Sequence, residues 1–83
     1  MRVTIKYFAA IRETIGQSTE QRETEALTLA ELRDELIASG PAYVQALARG
    51  KSVRMALNLV MRDESGVLLP DCEVAFFPPV TGG

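Results

Sequence analysis

The group with the clearest chemical potential in this 83-residue chain is the main-chain carboxylate of Gly83. Residues 74–83 have the sequence Val-Ala-Phe-Phe-Pro-Pro-Val-Thr-Gly-Gly and carry no charged side chain. A Gly-Gly ending alone is weak evidence, because at about 7% glycine usage it arises by chance in roughly one chain in two hundred. Functionless chain ends are the commoner case, but they are usually polar, whereas this one is apolar and rich in proline.

Pro78 and Pro79 predict that the chain leaves the sheet before it ends. Neither residue has an N–H to donate to a neighbouring strand, and the pair favours an extended polyproline geometry. We therefore expect a folded domain at residues 1–77 and a projecting tail at residues 78–83. After the prolines the tail reaches roughly 13 Å at about 3.3 Å per residue. That final stretch is Val80, Thr81, Gly82 and Gly83.

A projecting carboxylate needs activation before it reacts, because its leaving group would otherwise be oxide. Adenylation by ATP produces a mixed anhydride that a sulfur or nitrogen nucleophile can attack. Two terminal residues without a Cβ allow an enzyme to hold the backbone in a channel too narrow for other residues. We expect ATP to be used by a separate activating enzyme, with no cofactor and no metal bound stably by this chain.

The composition argues against a self-sufficient enzyme. The chain has no histidine and a single cysteine, Cys72, which excludes Ser-His-Asp triads, Cys-His dyads and histidine-containing zinc sites. A domain of this length also has no room for a deep catalytic cleft. We expect Cys72 to be half-buried and inert, because no basic partner is evident beside it.

Charge and hydropathy limit the expected partners and location. Nine Lys and Arg against eleven Asp and Glu give a net charge of -2 without a basic cluster, which argues against nucleic-acid binding. No apolar run approaches the ~18 residues of a membrane span, and the N-terminus does not resemble a signal peptide. One cysteine cannot form an internal disulfide, so we expect a cytoplasmic location. The charge and hydropathy lead us to expect neither a nucleic acid nor a membrane as partner.

The first half of the chain predicts two strands and a short helix. Residues 3–8 alternate apolar and polar side chains as a strand does, and Phe8 breaks the alternation and is expected to face outward. Apolar residues spaced four apart, followed by Gly16, predict a helix from Ala9 to Ile15. The polar segment from Gln17 to Glu25 is interpreted as a solvent-facing second strand.

The main helix is expected to begin at Thr28, because Thr28 and Glu31 form a T-x-x-E capping box. Gly40 and Pro41 end it, and a second short helix follows at residues 42–48. The expected buried stripe of the main helix consists of Leu29, Leu32, Leu36 and Ile37.

The last two predicted strands complete the pattern. Residues 53–61 are dense in apolar side chains and predict one strand, residues 62–66 predict a charged turn, and residues 73–77 predict the last strand. The resulting order is β, short α, β, α, short α, β, β. This order predicts an α+β domain in which one main helix, with short helices beside it, covers one face of a mixed sheet. The compact solution is a β-grasp, the ubiquitin-like arrangement.

Three segments resemble the MoaD-type sulfur carriers, the small subunits of molybdopterin synthase. Residues 73–83 look like that family's C-terminal signature. Residues 7–16 resemble its F-A-x-x-R-E-x-x-G pattern, and residues 56–58 resemble its A-V-N strand. The chain departs from the family at residues 70–73, Pro-Asp-Cys-Glu, where D-G-D-E is usual. We expect this departure to change the loop before the last strand.

The resemblance implies a reaction cycle centred on Gly83. An E1-like adenylating enzyme would activate the carboxylate, and a sulfur-donor enzyme would supply the sulfur of a thiocarboxylate. The tail would then insert into the large catalytic subunit of the synthase and donate sulfur to cyclic pyranopterin monophosphate, building the dithiolene of molybdopterin. The carrier would thus be the sulfur-donating subunit of a heterotetramer, and not an enzyme on its own.

The resemblance also places an apolar docking patch on Phe8, Met61 and Phe77. In a strand, one of two adjacent residues points away from the core, so Tyr7-Phe8 and Phe76-Phe77 should each expose one ring. The alternative is that all three residues belong to the core, and for Met61 both alternatives stay open. Aromatic and methionine side chains would suit a surface that serves two partners in turn.

Other functions fit a β-grasp domain with a Gly-Gly end. One is a sulfur carrier of the thiamine pathway, and another is a ubiquitin-like modifier whose carboxylate is joined to lysines of other proteins. A third is a plain binding module with an inert tail. The F-F-P-P-V-T-G-G ending and the R-E-x-x-G motif favour the molybdopterin branch.

Overall fold

The computed structural model describes residues 1–79 of this protein. One helix follows the first strand, two helices follow the second strand, and the last three strands follow one another without a helix between them. The elements are β1 (Arg2–Tyr7), α1 (Ala9–Ile15), β2 (Thr19–Glu23), α2 (Leu29–Ile37), α3 (Pro41–Leu47), β3 (Arg54–Leu57), β4 (Val60–Arg62) and β5 (Glu73–Phe77).

The strands form one mixed sheet in the order β2-β1-β5-β3-β4. The central strands β1 and β5 are parallel, with Tyr7 opposite Phe76, and the other neighbouring pairs are antiparallel. A parallel pair needs a long crossover, which here contains α2 and α3. This topology confirms the predicted α+β fold of the β-grasp type.

The core lies between α2 and one face of the sheet. Alternation in β1 and β5 turns every second side chain towards α2, as the period of a strand requires. The prediction for α2 is confirmed for its three leucines, whereas Ile37 is only half-buried. The largest fully buried side chains are Tyr7, Phe76, Ile5, Leu29, Leu32, Leu36, Leu47, Val3 and Val74.

The helix ends follow the sequence signals closely. Gly16 closes α1 with φ of 89°, a left-handed conformation that glycine adopts without strain. At the start of α2, Thr28 Oγ1 accepts a hydrogen bond from the Glu31 N–H at 3.2 Å. The Glu31 carboxylate accepts from the Leu27 N–H at 2.9 Å instead of from Thr28, so the reciprocal half of the capping box is displaced by one residue.

The single strand predicted over residues 53–61 is wrong, because this segment is the hairpin of β3 and β4. Leu57 pairs with Val60, and the two residues between them, Asn58 and Leu59, have φ of 49° and 69°. Positive φ at both central residues is the geometry of the tight hairpin turn that matches strand twist. Asn58 tolerates it and also pairs with Glu73, because its Oδ1 accepts from the Glu73 N–H at 2.8 Å.

The loop before β5 explains the departure from the usual D-G-D-E motif. Asp71 adopts φ of 63°, the left-handed conformation that a glycine would occupy without strain. Its N–H donates to the Arg2 carbonyl at 2.8 Å, which ties the loop to β1. The next residue, Cys72, is 3% exposed, so the expectation of a half-buried cysteine is wrong and the thiol lies in the core.

Arg33 is buried in α2 although it carries a charge, and its side chain closes the end of α3. It is 4% exposed and donates to the carbonyls of Leu47 at 2.8 Å and Ala48 at 2.9 Å. It also donates to the Lys51 carbonyl at 3.1 Å and the Glu64 carboxylate at 2.8 Å. The last carbonyls of a helix lack partners within it, so Arg33 completes the hydrogen bonding of α3.

Candidate functional site

An apolar depression of about 690 Å³ lies on the outer face of the sheet, where β5 ends. Ala56 on β3 stands opposite both Ala75 on β5 and Met61 on β4. Because the alanine side chains are short, they leave space between the larger residues around them. The apolar depression is lined by Phe8, Ala9, Ala56, Leu59, Met61, Ala75, Phe77, Pro78 and Pro79.

Two aromatic rings form one side of the apolar depression. The rings of Phe8 and Phe77 meet edge to face, with centroids 6.5 Å apart and an interplanar angle of 84°. Their neighbours Tyr7 and Phe76 are buried at 1% and 0% exposure. The prediction that each aromatic pair sends one ring into the core and one to the outer face is therefore confirmed, and Phe8 is 44% exposed.

The backbone holds Phe8 at the junction of β1 and α1. Its N–H donates to the Phe76 carbonyl at 3.1 Å, and its carbonyl accepts from the Ile11 N–H at 3.1 Å. The following residue, Ala9, turns the chain into α1 with φ of 52°. Positive φ is uncommon outside glycine and such conformations cluster at functional sites.

The hairpin of β3 and β4 supplies the opposite side of the apolar depression. Met61 is 55% exposed and Leu59, at the tip of the turn, is 86% exposed. Met61 thus lies outside the core, and the structure brings Phe8, Met61 and Phe77 together around one depression. Their role in docking stays a prediction. Leu59 was missed because the turn that presents it was not predicted.

The start of the predicted tail borders the same depression. Pro78 and Pro79 follow directly after β5, are half-buried and line the apolar depression. The boundary between a domain at 1–77 and a tail at 78–83 stays a prediction. The remaining residues predicted for the tail lie outside the described residues, and they are Val80, Thr81, Gly82 and Gly83.

The lining of the apolar depression suits the binding of an apolar group, since none of its nine residues has an ionisable side chain. Charged residues border the depression on the same face, because Arg54 stands opposite Phe77 and Lys6 stands opposite Ala75. The Glu73 carboxylate lies 3.4 Å from the Lys6 ammonium. Across residues 1–79, no group of three or more His, Cys, Asp or Glu side chains could hold a metal ion. No helix in the same range has the length and apolar character needed to cross a membrane.

The titratable groups with the largest perturbation lie on the core side of the sheet. The Glu20 carboxylate accepts hydrogen bonds from the hydroxyls of Tyr7 at 2.6 Å and Tyr43 at 2.8 Å. Burial, followed by these bonds to Glu20, raises the pKa of both tyrosines. The cluster joins β1, β2 and α3 and has a structural role, because it does not contact the apolar depression.

Curated relatives with a known role cover nearly the whole chain. The chain is 38% identical over 81 residues to the molybdopterin synthase sulfur carrier subunit of Haemophilus influenzae. It is 33% identical over 81 residues to the protein of the same name from Escherichia coli K12. In both cases the match covers 98% of this chain and 99% of the relative.

Solved structures show the same fold. A chain in the complex of subunits 1 and 2 of molybdopterin-converting factor from Helicobacter pylori matches with a TM-score of 0.70 at 25% identity, over 100% of both chains. Small archaeal modifier protein 1 from Haloferax volcanii matches with a TM-score of 0.77 at 22% identity, over 95% of this chain and 98% of that one. The model of the ThiS family matches residues 5–83, and the chain therefore belongs to the ThiS family.

Proposed function

We propose that this chain is the sulfur-carrier subunit of a molybdopterin synthase. The observation that carries this proposal is the 38% identity, over 98% of the chain, to a protein of that name. The apolar depression supports this proposal, because it offers a binding surface for a partner directly beside Pro78 and Pro79, which lead to the proposed reactive end. The lining of the apolar depression holds no titratable side chain, and in this proposal the chain serves as a substrate-like subunit for larger enzymes.

The proposed chemistry takes place on the Gly83 carboxylate. In an E1-like adenylating enzyme, a carboxylate oxygen attacks the α-phosphorus of ATP, which forms the glycyl adenylate and releases pyrophosphate. Sulfur at the oxidation level of sulfide, supplied by a sulfur-donor enzyme, then attacks the carbonyl carbon of Gly83. A C–S bond forms, the C–O bond to AMP breaks, and AMP departs, which leaves a thiocarboxylate on Gly83. The chain binds no cofactor stably in this cycle, since ATP is bound by the activating enzyme.

The thiocarboxylate is consumed in the large catalytic subunit. There it transfers its sulfur to cyclic pyranopterin monophosphate, and two such transfers build the dithiolene of molybdopterin. The tail, Pro78 to Gly83, occupies a channel of that subunit while Phe8, Met61 and Phe77 dock beside the channel entrance. The Helicobacter pylori complex of subunits 1 and 2 supports a partner of this kind, and we propose a heterotetramer located in the cytoplasm.

Intact-mass measurement tests the carrier function directly. The purified chain is incubated with an E1-like enzyme, ATP and a sulfur donor, and the expected result is a mass increase equal to one oxygen-to-sulfur exchange at Gly83. A chain that lacks Gly82 and Gly83 is the control and should not change in mass. Absence of the exchange in the intact chain would sink the proposal.

A second measurement separates the molybdopterin branch from its rivals. A thiamine-pathway carrier acquires the same thiocarboxylate, so the loaded chain is added to a large synthase subunit and cyclic pyranopterin monophosphate, and molybdopterin formation is measured. Product supports the proposal, and no product with a competent large subunit contradicts it. A protein modifier would instead appear in isopeptide-linked adducts in lysates, with cofactor synthesis unaffected by deletion of its gene.

A further inference from the structure

The turn between β3 and β4 exposes a large apolar side chain at the edge of the apolar depression. Leu59 is 86% exposed, the largest exposed fraction of any large apolar side chain in residues 1–79, and Leu27 follows with 63%. Leu59 lines the apolar depression together with Met61 of the same hairpin. Because so little of its surface is removed from water, the Leu59 side chain contributes little to the stability of the isolated domain.

The backbone of Leu59 has a conformation that suits glycine better than leucine. Its φ is 69°, and it is the second central residue of a turn with two positive φ values, where glycine is strongly preferred. Glycine adopts this conformation without the steric cost that a Cβ brings. For the turn alone, glycine would therefore be the more favourable residue at position 59, and the fold by itself gives no reason for leucine.

Unfavourable backbone conformations of this kind are concentrated at the apolar depression. Four residues other than glycine have positive φ within residues 1–79, namely Ala9, Asn58, Leu59 and Asp71. Asparagine and aspartate tolerate this conformation, because their short polar side chains can form local hydrogen bonds. Alanine and leucine lack such compensation, and both Ala9 and Leu59 line the apolar depression. Backbone strain tends to cluster at functional sites, so its placement here indicates that the depression binds a partner.

Hydrogen bonds to the start of β5 hold the turn in position. The Asn58 N–H donates to the Glu73 carbonyl at 2.8 Å, and Asn58 Oδ1 accepts from the Glu73 N–H at 2.8 Å. On either side of the turn, Leu57 pairs with Val60. Leu59 therefore projects from a backbone that is already ordered, and a partner that binds its side chain loses little conformational entropy in ordering the turn.

We propose that Leu59 is an apolar anchor that determines the affinity of docking, and that it packs between apolar side chains of the large synthase subunit. This inference rests on the proposed function and adds a residue to the patch of Phe8, Met61 and Phe77. An apolar contact is the occupant that fits, because a leucine side chain gains free energy only by leaving water. The surface beside it is apolar as well, since the apolar depression has no ionisable side chain in its lining.

Three substitutions at position 59 separate the contribution of the side chain from that of the backbone. Each variant is titrated calorimetrically with the large synthase subunit of the same organism, and its melting temperature is measured. Leu59→Ala keeps a Cβ but removes most of the apolar surface, and it should weaken binding by at least about tenfold. Leu59→Gly should weaken binding as much and raise the melting temperature by about 4 °C, because it relieves the backbone strain. Leu59→Met keeps an apolar side chain of similar size and should bind within about threefold of the wild type.

Two control variants match the two changes. Leu69→Ala makes the same truncation at a residue that is 61% exposed and does not line the apolar depression. Asp71→Gly introduces glycine at an exposed residue with φ of 63°, also outside the depression. The bond from its N–H to the Arg2 carbonyl belongs to the main chain and is retained in that variant. Both controls should bind the large subunit within about twofold of the wild type, since neither changes the docking surface.

The outcomes separate this inference from the proposed function. If the wild-type chain binds the large subunit and Leu59→Ala binds as tightly as Leu69→Ala, the role of Leu59 is overturned while the carrier function stands. A lower melting temperature for Leu59→Gly than for the wild type would show that Leu59 serves the stability of the domain, which also overturns the inference. If the wild-type chain does not bind a competent large subunit, the carrier function itself fails, and the role of Leu59 fails with it.

Discussion

Arg33 illustrates at the residue scale what a helical pattern alone does not reveal. Its neighbour Leu32 belongs to the buried stripe, and a charged residue beside it is normally assigned to the solvent face, because charges are seldom buried without partners. Three of the four partners of Arg33 are main-chain carbonyls, those of Leu47, Ala48 and Lys51, and the fourth is the Glu64 carboxylate. Main-chain groups leave no trace in a sequence pattern, so this burial could not be predicted from the sequence.

We expect Arg33→Ala to destabilise the domain by about 2–4 kcal/mol, because it removes the Arg33 donor to the carbonyl of the buried Leu47 and one partner of Glu64. The measurement is the free energy of unfolding in urea. Arg49→Ala is the control, because Arg49 also binds Glu64 but its side chain is 43% exposed, and its loss should cost under ~1 kcal/mol. Equal effects of the two substitutions would contradict the capping role of Arg33.

At the scale of elements, the sequence predicts structure best where local chemistry determines it. The cap at Thr28, the stop at Gly16 and the alternation of β1 all follow from interactions between residues close in sequence. The hairpin of β3 and β4 was missed because its turn is Asn58-Leu59, whereas a glycine usually marks a turn with two positive φ values. The hairpin depends on pairing between Asn58 and Glu73, a contact distant in sequence.

The site shows the same division. Phe8 and Phe77 could be assigned to the outer face from the alternation of β1 and β5. Met61 could not be assigned, since its strand was predicted with the wrong limits. Ala56 and Ala75 could not be assigned to the site, because an alanine in a strand gives no functional signal, although here the short side chains leave the space of the apolar depression.

The Glu20 cluster predicts how the packing of β1, β2 and α3 responds to alkaline pH. Burial and the bond to Glu20 raise the pKa of Tyr7 in the folded chain, whereas an unfolded tyrosine ionises near pH 10. Above about pH 10 the unfolded chain therefore releases a proton that the folded chain keeps, so stability falls by roughly 1.4 kcal/mol per pH unit for each such group. Below that pH this contribution to stability is fully present.

Urea unfolding measured between about pH 8 and about pH 11 tests this expectation. Tyr7→Phe removes one titrating hydroxyl but keeps the ring, so its stability should be lower at neutral pH and should fall less steeply above about pH 10. Because both chains contain the same lysines and arginines, the difference between their slopes isolates the tyrosine. Parallel pH curves for the two chains would show that Tyr7 ionises equally in both states.

At the scale of the whole molecule, the proposed docking surface and the group proposed to react are separate. Composition counts side chains only, whereas the group proposed to react is the main-chain carboxylate of Gly83. The sheet contributes the apolar depression, which lies where β5 ends. A partner that covers this depression would hold the chain beside Pro78 and Pro79, which lead into the proposed tail.

Docking and stability should respond differently to a charge in the apolar depression. Phe8→Asp is expected to weaken binding to the large synthase subunit by at least about tenfold, because it places a carboxylate in an apolar contact. Phe8 is 44% exposed, so the free energy of unfolding should change by less than about 1 kcal/mol. Leu69→Asp, at another exposed apolar residue (61%), is the control and should bind normally. Wild-type affinity of Phe8→Asp would remove Phe8 from the docking surface.

A substitution in the proposed tail should reduce sulfur transfer without changing the stability of the domain or the side chains of the apolar depression. Gly82→Val adds a branched side chain next to the reactive residue, and we expect it to reduce molybdopterin formation by the loaded carrier, because a narrow channel excludes a Cβ. Thr81→Val is the matched control, since it keeps a branched side chain of similar size. The free energy of unfolding should be the same for both variants. Undiminished transfer by Gly82→Val would mean that the channel accepts side chains, and the requirement for a Gly-Gly end would then need another cause.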